Sequence, residues 1–293
     1  MPILTDPISW WIEPFTTNGF MRSALLAGIL AVIATSLVGT WVVLRGMSFL
    51  GDALAHGALP GIAIAFIIGI DTGIGAIIAA LAMVGGVNLV RSHSPLPEDT
   101  SIGVLFVGFL ALAVVIMSSQ GGAYTGDLNR FLFGSITGVD SADLLRQGVA
   151  AGISALGVVI FYRAFLVMTF DETQAQVLGL RPRLADAVLL VLVALAIVAS
   201  FEAVGNLLVF AFLIAPPATA ALIVRRVPMI MVTAVGLGVG SVILGLLISY
   251  HSNTAAGATM ALTSVVGFLV VVFFQSVWRA LGRSGMTMAG DLR

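Results

Sequence analysis

Apolar residues run along this chain in long blocks, and polar residues fall mostly in the short intervals between them. Runs free or nearly free of charge cover 23–44, 46–70, 72–90, 102–119, 147–162, 187–201, 203–224, 229–249 and 258–278. A helix needs about 20 apolar residues to cross a hydrocarbon core of about 30 Å. The pattern therefore predicts an all-α, polytopic transmembrane helical bundle with eight or nine spans. The count turns on 187–201 and 203–224, which leave only Glu202 and a few neighbours for a turn. If one of the two is a half-helix that stops short of the far surface, the number is eight. Two runs carry interruption signals, Pro60–Gly61 in the second and Pro216–Pro217 in the seventh. Broken helices line transporter cavities, where the freed backbone groups find partners. The 33 glycines and abundant alanine predict closely packed helices, because small residues let backbones approach.

Composition sharpens this picture. Hydrophobic residues make up 59% of the 293 and charged residues 9%, against about 25% charged in a soluble domain. A water-surrounded globule is excluded. The chain has no cysteine, which removes disulfides, thiolate nucleophiles and cysteine zinc sites. All 13 basic residues are arginine, so there is no phosphate-gripping lysine of a nucleotide-binding loop and no Schiff base. A net charge of −1 gives no footprint for nucleic acid.

The arginines also set an orientation. Nine alternating spans place Arg45, Arg91, Arg163, Arg181, Arg183, Arg225, Arg226, Arg279, Arg283 and Arg293 on one side, and Arg22, Arg130 and Arg146 on the other. The positive-inside rule makes the richer side, and the C-terminus, cytoplasmic. One membrane domain over 20–278 is then flanked by an interfacial segment, 1–19, and a cytoplasmic tail, 279–293. Residues 1–19 carry Asp6 and Glu13 and no basic residue, which predicts no cleavable signal peptide. Trp10–Trp11 beside Pro14 and Phe15 reads either as an aromatic anchor in the headgroup layer or as an unanchored amphipathic tail.

The second run holds the residues that do not belong in lipid. Between His56 and Asp71 lie the uncharged residues 57–70, about 21 Å of helix and too short to cross. The segment spans only if it begins near Gly46, which puts Asp52 and His56 inside the helix. A charge at the bilayer centre costs roughly 2.5–3.5 kcal/mol on insertion scales. As an i, i+4 pair the two share one helical face, about 5–6 Å apart at Cβ. Carboxylate oxygen and imidazole nitrogen both bind first-row divalent metals at about 2.0–2.2 Å. Two ligands are too few for zinc or manganese, but a two-fold dimer would supply four. The other reading is a plain ion pair, or a wet vestibule near the cytoplasmic end; the residues alone leave both open.

Lesser candidates are Glu202, a gate or relay or simply a turn residue, and His251, which could greet an incoming ion or be an ordinary loop histidine. Segment 170–180 predicts a short helix, with Asp171 and Glu172 at its N-terminus and Gly179 at its stop. It is too polar to span, and could dock into a partner's groove or merely connect two spans.

At RGMSFLGDALAHGALPGIAIAF (45–66) the sequence resembles the membrane permeases of binding-protein-dependent ABC uptake systems for zinc and manganese. The likeness continues through 97–106, 128–139, 170–180 and VGNLLVFAFLIAPPATA (204–220). It implies a multi-pass permease subunit of a bacterial cytoplasmic (inner) membrane, a homodimer on two cytoplasmic ATP-binding subunits, fed by an extracytoplasmic metal-binding protein. No permanently bound cofactor is implied; Zn2+ or Mn2+ is cargo, and ATP hydrolysis belongs to another chain. Asp52 and His56 are then the metal ligands on the path. The ATPase-coupling region comprises Glu98, Asp99, Asp171, Glu172, Gln174, Leu178 and Gly179. Rival readings are an ion-coupled secondary carrier with Asp52 as proton site, or an intramembrane metal-dependent protease. The latter is disfavoured by the lack of H-E-x-x-H and G-x-S-x-G.

Overall fold

The computed structural model describes residues 7–93, 98–118 and 139–288. Most of stretch 128–139 lies outside the described residues. The described elements are all helices: α1 (Pro7–Thr17), α2 (Gly19–Leu44), α3 (Ser48–Gly57), α4 (Leu59–Ile68), α5 (Thr72–His93), α6 (Glu98–Ser118), α7 (Ser141–Phe170), α8 (Glu172–Val177), α9 (Pro182–Val204), α10 (Asn206–Ile223), α11 (Val227–Ser252) and α12 (Ala256–Met288). Eight spans are long and apolar enough to cross a membrane, α3 and α4 counting as one, and α10 contributes a shorter apolar helix, Leu208–Ile223.

Contacts between helix ends settle what α10 does. Arg45, just past α2, bonds Asp186 at the start of α9, so α9 begins where α2 ends. Asn18, just before α2, bonds Tyr250 near the end of α11, so α11 ends where α2 begins. Because α10 joins the end of α9 to the start of α11, it runs from one face to the other. Its 18 residues span about 27 Å, close to the hydrocarbon thickness. Among the described residues nine helical passages then run from face to face, and the two ends of the described chain lie on opposite faces. The ion pair Asp71–Arg146 joins the starts of α5 and α7 on the Asn18 face, and Gln275 of α12 donates to the Leu222 carbonyl on the Arg45 face.

The inner helices are α2, α3–α4 and α9, two-thirds buried, whereas α6 and α12 are 17% buried and offer most of their surface to lipid or a partner. Trp41 of α2, fully buried, meets Tyr162 and Phe165 of α7 edge-on, with ring centroids 5.6 Å away in each case. Glycines set the closest crossings. Gly61 of α4 and Gly75 of α5 face each other so tightly that a Cβ on either would meet the other's carbonyl oxygen.

The interruption expected at Pro216–Pro217 is absent: α10 is continuous over Asn206–Ile223 with both prolines inside. Two prolines remove two N–H donors and free the carbonyls of Phe212 and Leu213, four residues back. In a membrane those oxygens need cover, and α2 provides it. Ser36 Oγ donates to the Phe212 carbonyl at 3.3 Å. Gly39 lies against the Leu213 carbonyl, with no room for a Cβ. The break in this part of the chain falls at Gly205, between α9 and α10, where φ is +82°.

Outside the spans, α1 is an ordered helix at the head of α2. The Trp10 ring stacks on His251 of α11 at 4.5 Å and 9°, so this part of the N-terminal segment packs on the bundle.

Candidate functional site

Sequence chemistry places the site by ending α2 early. Gly46 adopts φ +71°, its N–H bonds the Val43 carbonyl, and that of Met47 bonds the Val42 carbonyl. This glycine-stopped ending turns the chain straight into α3, which buries Leu50, Gly51, Ala53, Leu54, Ala55 and Gly57. Two glycines on the buried side set its depth: a Cβ on Gly51 would meet the Leu213 side chain of α10, and one on Gly57 would meet Met83 of α5. Phe49, Asp52 and His56, at i, i+3 and i+7, form the remaining face. The helix is interrupted at Ala58, two residues before Pro60, and resumes as α4.

Asp52 and His56 are neither solvated nor sealed, with side chains 32% and 22% exposed. His56 Nδ1 lies 3.4 Å from Asp52 Oδ1 and 3.1 Å from the Asp52 main-chain carbonyl. With its proton on Nδ1, the ring donates within its own turn. The Phe106 ring of α6 stands edge-on to His56 at 5.6 Å and to Phe49 at 5.5 Å, so an aromatic wall fixes the imidazole from the side. Among the described residues no group of three or more His, Cys, Asp or Glu is placed to hold a metal ion.

Beneath the site lies an ion pair that the sequence pattern does not single out. Arg45 and Asp186 meet at 2.7 Å with side chains only 12% and 11% exposed. The pair pins the α2–α3 turn to the start of α9. Its only signal in the sequence is an acid four residues past Pro182, opposite the arginine that opens the 45–66 stretch. Removing one partner leaves a buried charge uncompensated. Asp186→Ala is expected to cost about 3 kcal/mol, read from detergent unfolding of the purified chain, while Asp186→Asn retains part of that through hydrogen bonding.

The other candidates lie apart. Among its ring contacts His251 meets Trp10 and Tyr250, and its Nε2 lies 3.3 Å from the Trp10 carbonyl, which assigns it to anchoring α1. Glu202 falls in the last turn of α9, and Glu98 and Asp99 open α6; their side chains, like that of Glu172, lie outside the described residues. The 170–180 segment folds as the sequence anticipates. Asp171 caps α8 by accepting from the Gln174 N–H at 2.9 Å. Gly179, at φ +71°, closes the helix, with the Gly179 and Leu180 N–H groups bonded to the Gln176 and Ala175 carbonyls. Ala175 is buried, while Phe170, Val177 and Leu178 are exposed, leaving an apolar knob on the Arg45 face.

Residues 17–275 match the ABC 3 transport family. The chain belongs to that family. A manganese transport system membrane protein, MntC, of Listeria innocua is 35% identical over 264 residues, 90% of this chain and 94% of the relative. A probable iron transport system membrane protein of Haemophilus influenzae is 32% identical, over 92% and 98%. Among solved structures, PsaBC from Streptococcus pneumoniae in complex with Fab superposes with a TM-score of 0.79 at 34% identity, covering 90% of this chain and 95% of that one. Family membership makes this chain a multi-pass ABC permease subunit, and the motif 45–66 falls inside the matched region.

Proposed function

We propose that this permease subunit imports a divalent first-row metal, manganese foremost, and that Asp52 and His56 are its ligands on the path. The observation that carries the reading is an acid and an imidazole one turn apart on a half-open helix face at a helix interruption. Relatives named for manganese and iron transport support the cargo class. The oxygen-and-nitrogen donor set, without thiolate, suits an ion that must be released again, and it accepts zinc as well. A second copy of the chain, its own Asp52 and His56 facing these across a dyad, completes a four-ligand site. The open flank of α3 and the thinly buried α6 are the surfaces that such a pairing uses.

The arginine-rich Arg45 face is cytoplasmic in this reading, with the C-terminus on that side and Asn18 outside. The exposed end of α8, Val177–Leu178, docks on a cytoplasmic ATPase, and a metal-binding protein delivers the ion to the outer face. Closure of the ATPase pair pushes α8. Because α8 leads directly into α9, and Asp186 of α9 holds the α2–α3 turn through Arg45, the push reaches the turn that carries Asp52.

The reading is tested by purifying the tagged chain with its ATPase and reconstituting it. Manganese uptake into vesicles is expected to need ATP and to be competed by zinc. Full activity of the chain alone would turn the reading into a secondary carrier. Leu178→Asp, at an exposed position, is expected to leave the amount of folded protein unchanged and to lower coupled uptake about tenfold, the loss of roughly 1.4 kcal/mol of docking energy.

A further inference from the structure

One opening among the described residues is remote from Asp52 and His56. A cavity of about 340 Å³ opens between α5, α7 and α9 near the Asn18 face, and a second of about 120 Å³ continues below it, the two sharing Ile77, Leu195 and Val198 in their walls. Together they form one slot. It runs along α5 from Asp71 to Leu81 and along α9 from Ala199 to Val191, about 12–15 Å in each case. That is about half of a 30 Å hydrocarbon core, the depth of a single leaflet.

Polarity changes along the slot in the same direction. The lower cavity has only apolar side chains in its walls, and Ile77, Leu81 and Val191 stay about two-fifths exposed. The mouth holds Asp71, Asp143 and Arg146. Asp71 is fixed there by the Gly73 and Ile74 N–H groups on Oδ1 and by Arg146 on Oδ2 at 3.3 Å. Asp143 is fixed by its bond with the Asp140 N–H. One guanidinium and two carboxylates give the mouth both signs of charge with acid in excess, which does not suit a headgroup that is purely anionic.

We propose that this slot holds one zwitterionic phospholipid bearing a primary amine. An acyl chain lies between α5 and α9, the phosphate faces Arg146, and the ammonium is shared by Asp71 and Asp143. A guanidinium matches phosphate in its planar donor geometry. A primary ammonium brings three donors to the carboxylates, which a quaternary ammonium lacks. The lipid wedges the starts of α5 and α7, against which α9 packs, so it steadies the outer end of the helix whose inner end carries Asp186. The assignment rests on the membrane placement given above but not on the metal.

The test uses the full chain in vesicles of phosphatidylethanolamine, phosphatidylcholine and phosphatidylglycerol in equal parts, extracted and examined by native mass spectrometry under progressive delipidation. One phosphatidylethanolamine per chain is expected to persist after the other two are stripped. Arg146→Gln, at an exposed position, and Asp143→Asn, at a half-buried one, are expected to lower its retention at least fivefold. Leu195→Trp, which fills the slot, is expected to abolish it, whereas Val270→Trp on the exposed face of α12 leaves it intact. Equal retention of the three lipids, or unchanged retention in the Arg146 and Leu195 variants, overturns the proposal. So does a disulfide-linked dimer of Ile153→Cys, which would make the slot an interface between copies; the absence of native cysteine makes that probe unambiguous. Lipid retention is read without transport, so it fails or succeeds independently of the metal reading.

Discussion

Cells carrying Asp52→Ala or His56→Ala are expected to take up metal at background rates, with the permease still present in the membrane at its usual level. In a two-fold assembly each substitution removes two of four ligands at once, because both copies change. Disturbing only the groups behind a metal ligand typically costs about 10–100-fold, so loss of the ligands themselves is expected to cost about 100-fold or more. The fold tolerates the changes: both side chains lie on the partly exposed face of α3, while Leu50 and Leu54 on the buried face hold the helix in place. Asp52→Asn separates charge from shape. The amide fits the same turn beside His56 but gives a divalent cation a weaker ligand, and uptake is expected to fall almost as far as with alanine. Protein level is measured by immunoblot and uptake by metal content. Normal uptake in the double alanine variant, at normal protein level, removes Asp52 and His56 from the path.

Which features of the site and fold are legible in the sequence, and which stay hidden, follows from the range of the forces involved. Asp52 and His56 stand out because a charge in an apolar run is anomalous in itself, and the i, i+4 interval fixes the shared face by helix geometry alone. The ends of α8 are legible for the same local reason: an aspartate cap and a left-handed glycine act within a single turn. The behaviour of Pro216–Pro217 is not. Whether a proline breaks a membrane helix depends on who covers the orphaned carbonyls, and here the answer lies about 175 residues earlier in the chain, at Ser36 and Gly39. The Arg45–Asp186 pair is likewise a contact across sequence; each residue taken singly looks like an ordinary helix-end charge. The number of crossings cannot be read from hydropathy because α10 is shorter than its neighbours. It follows from which helix ends touch.

Gly39→Ala is expected to be among the most disruptive single-methyl changes in the protein. A Cβ at Gly39 would run into the Leu213 carbonyl oxygen, with the Leu213 carbonyl carbon 2.9 Å away. The obstacle is main chain, so no rotamer change relieves it, and α2 and α10 must separate. Overpacking of a core typically costs about 1–3 kcal/mol; a clash with backbone belongs at the upper end, about 3 kcal/mol. The consequences extend beyond the crossing. Separation strips the cover from a carbonyl that Pro217 already leaves without its helical donor, and it pulls the Phe212 carbonyl from Ser36 Oγ. It also shifts the Leu213 side chain, whose other neighbour is Gly51, the residue before Asp52. Stability and transport are thus coupled through one leucine. Ser36→Ala isolates the hydrogen-bond part: it adds no atom, leaves the crossing closed, and is expected to cost about 1 kcal/mol with uptake retained. Thermal unfolding of the purified variants, set beside uptake at equal membrane level, distinguishes the two. If Gly39→Ala unfolds like the parent and transports normally, α2 does not press on α10 at Leu213, and the Asp52 turn is held in some other way.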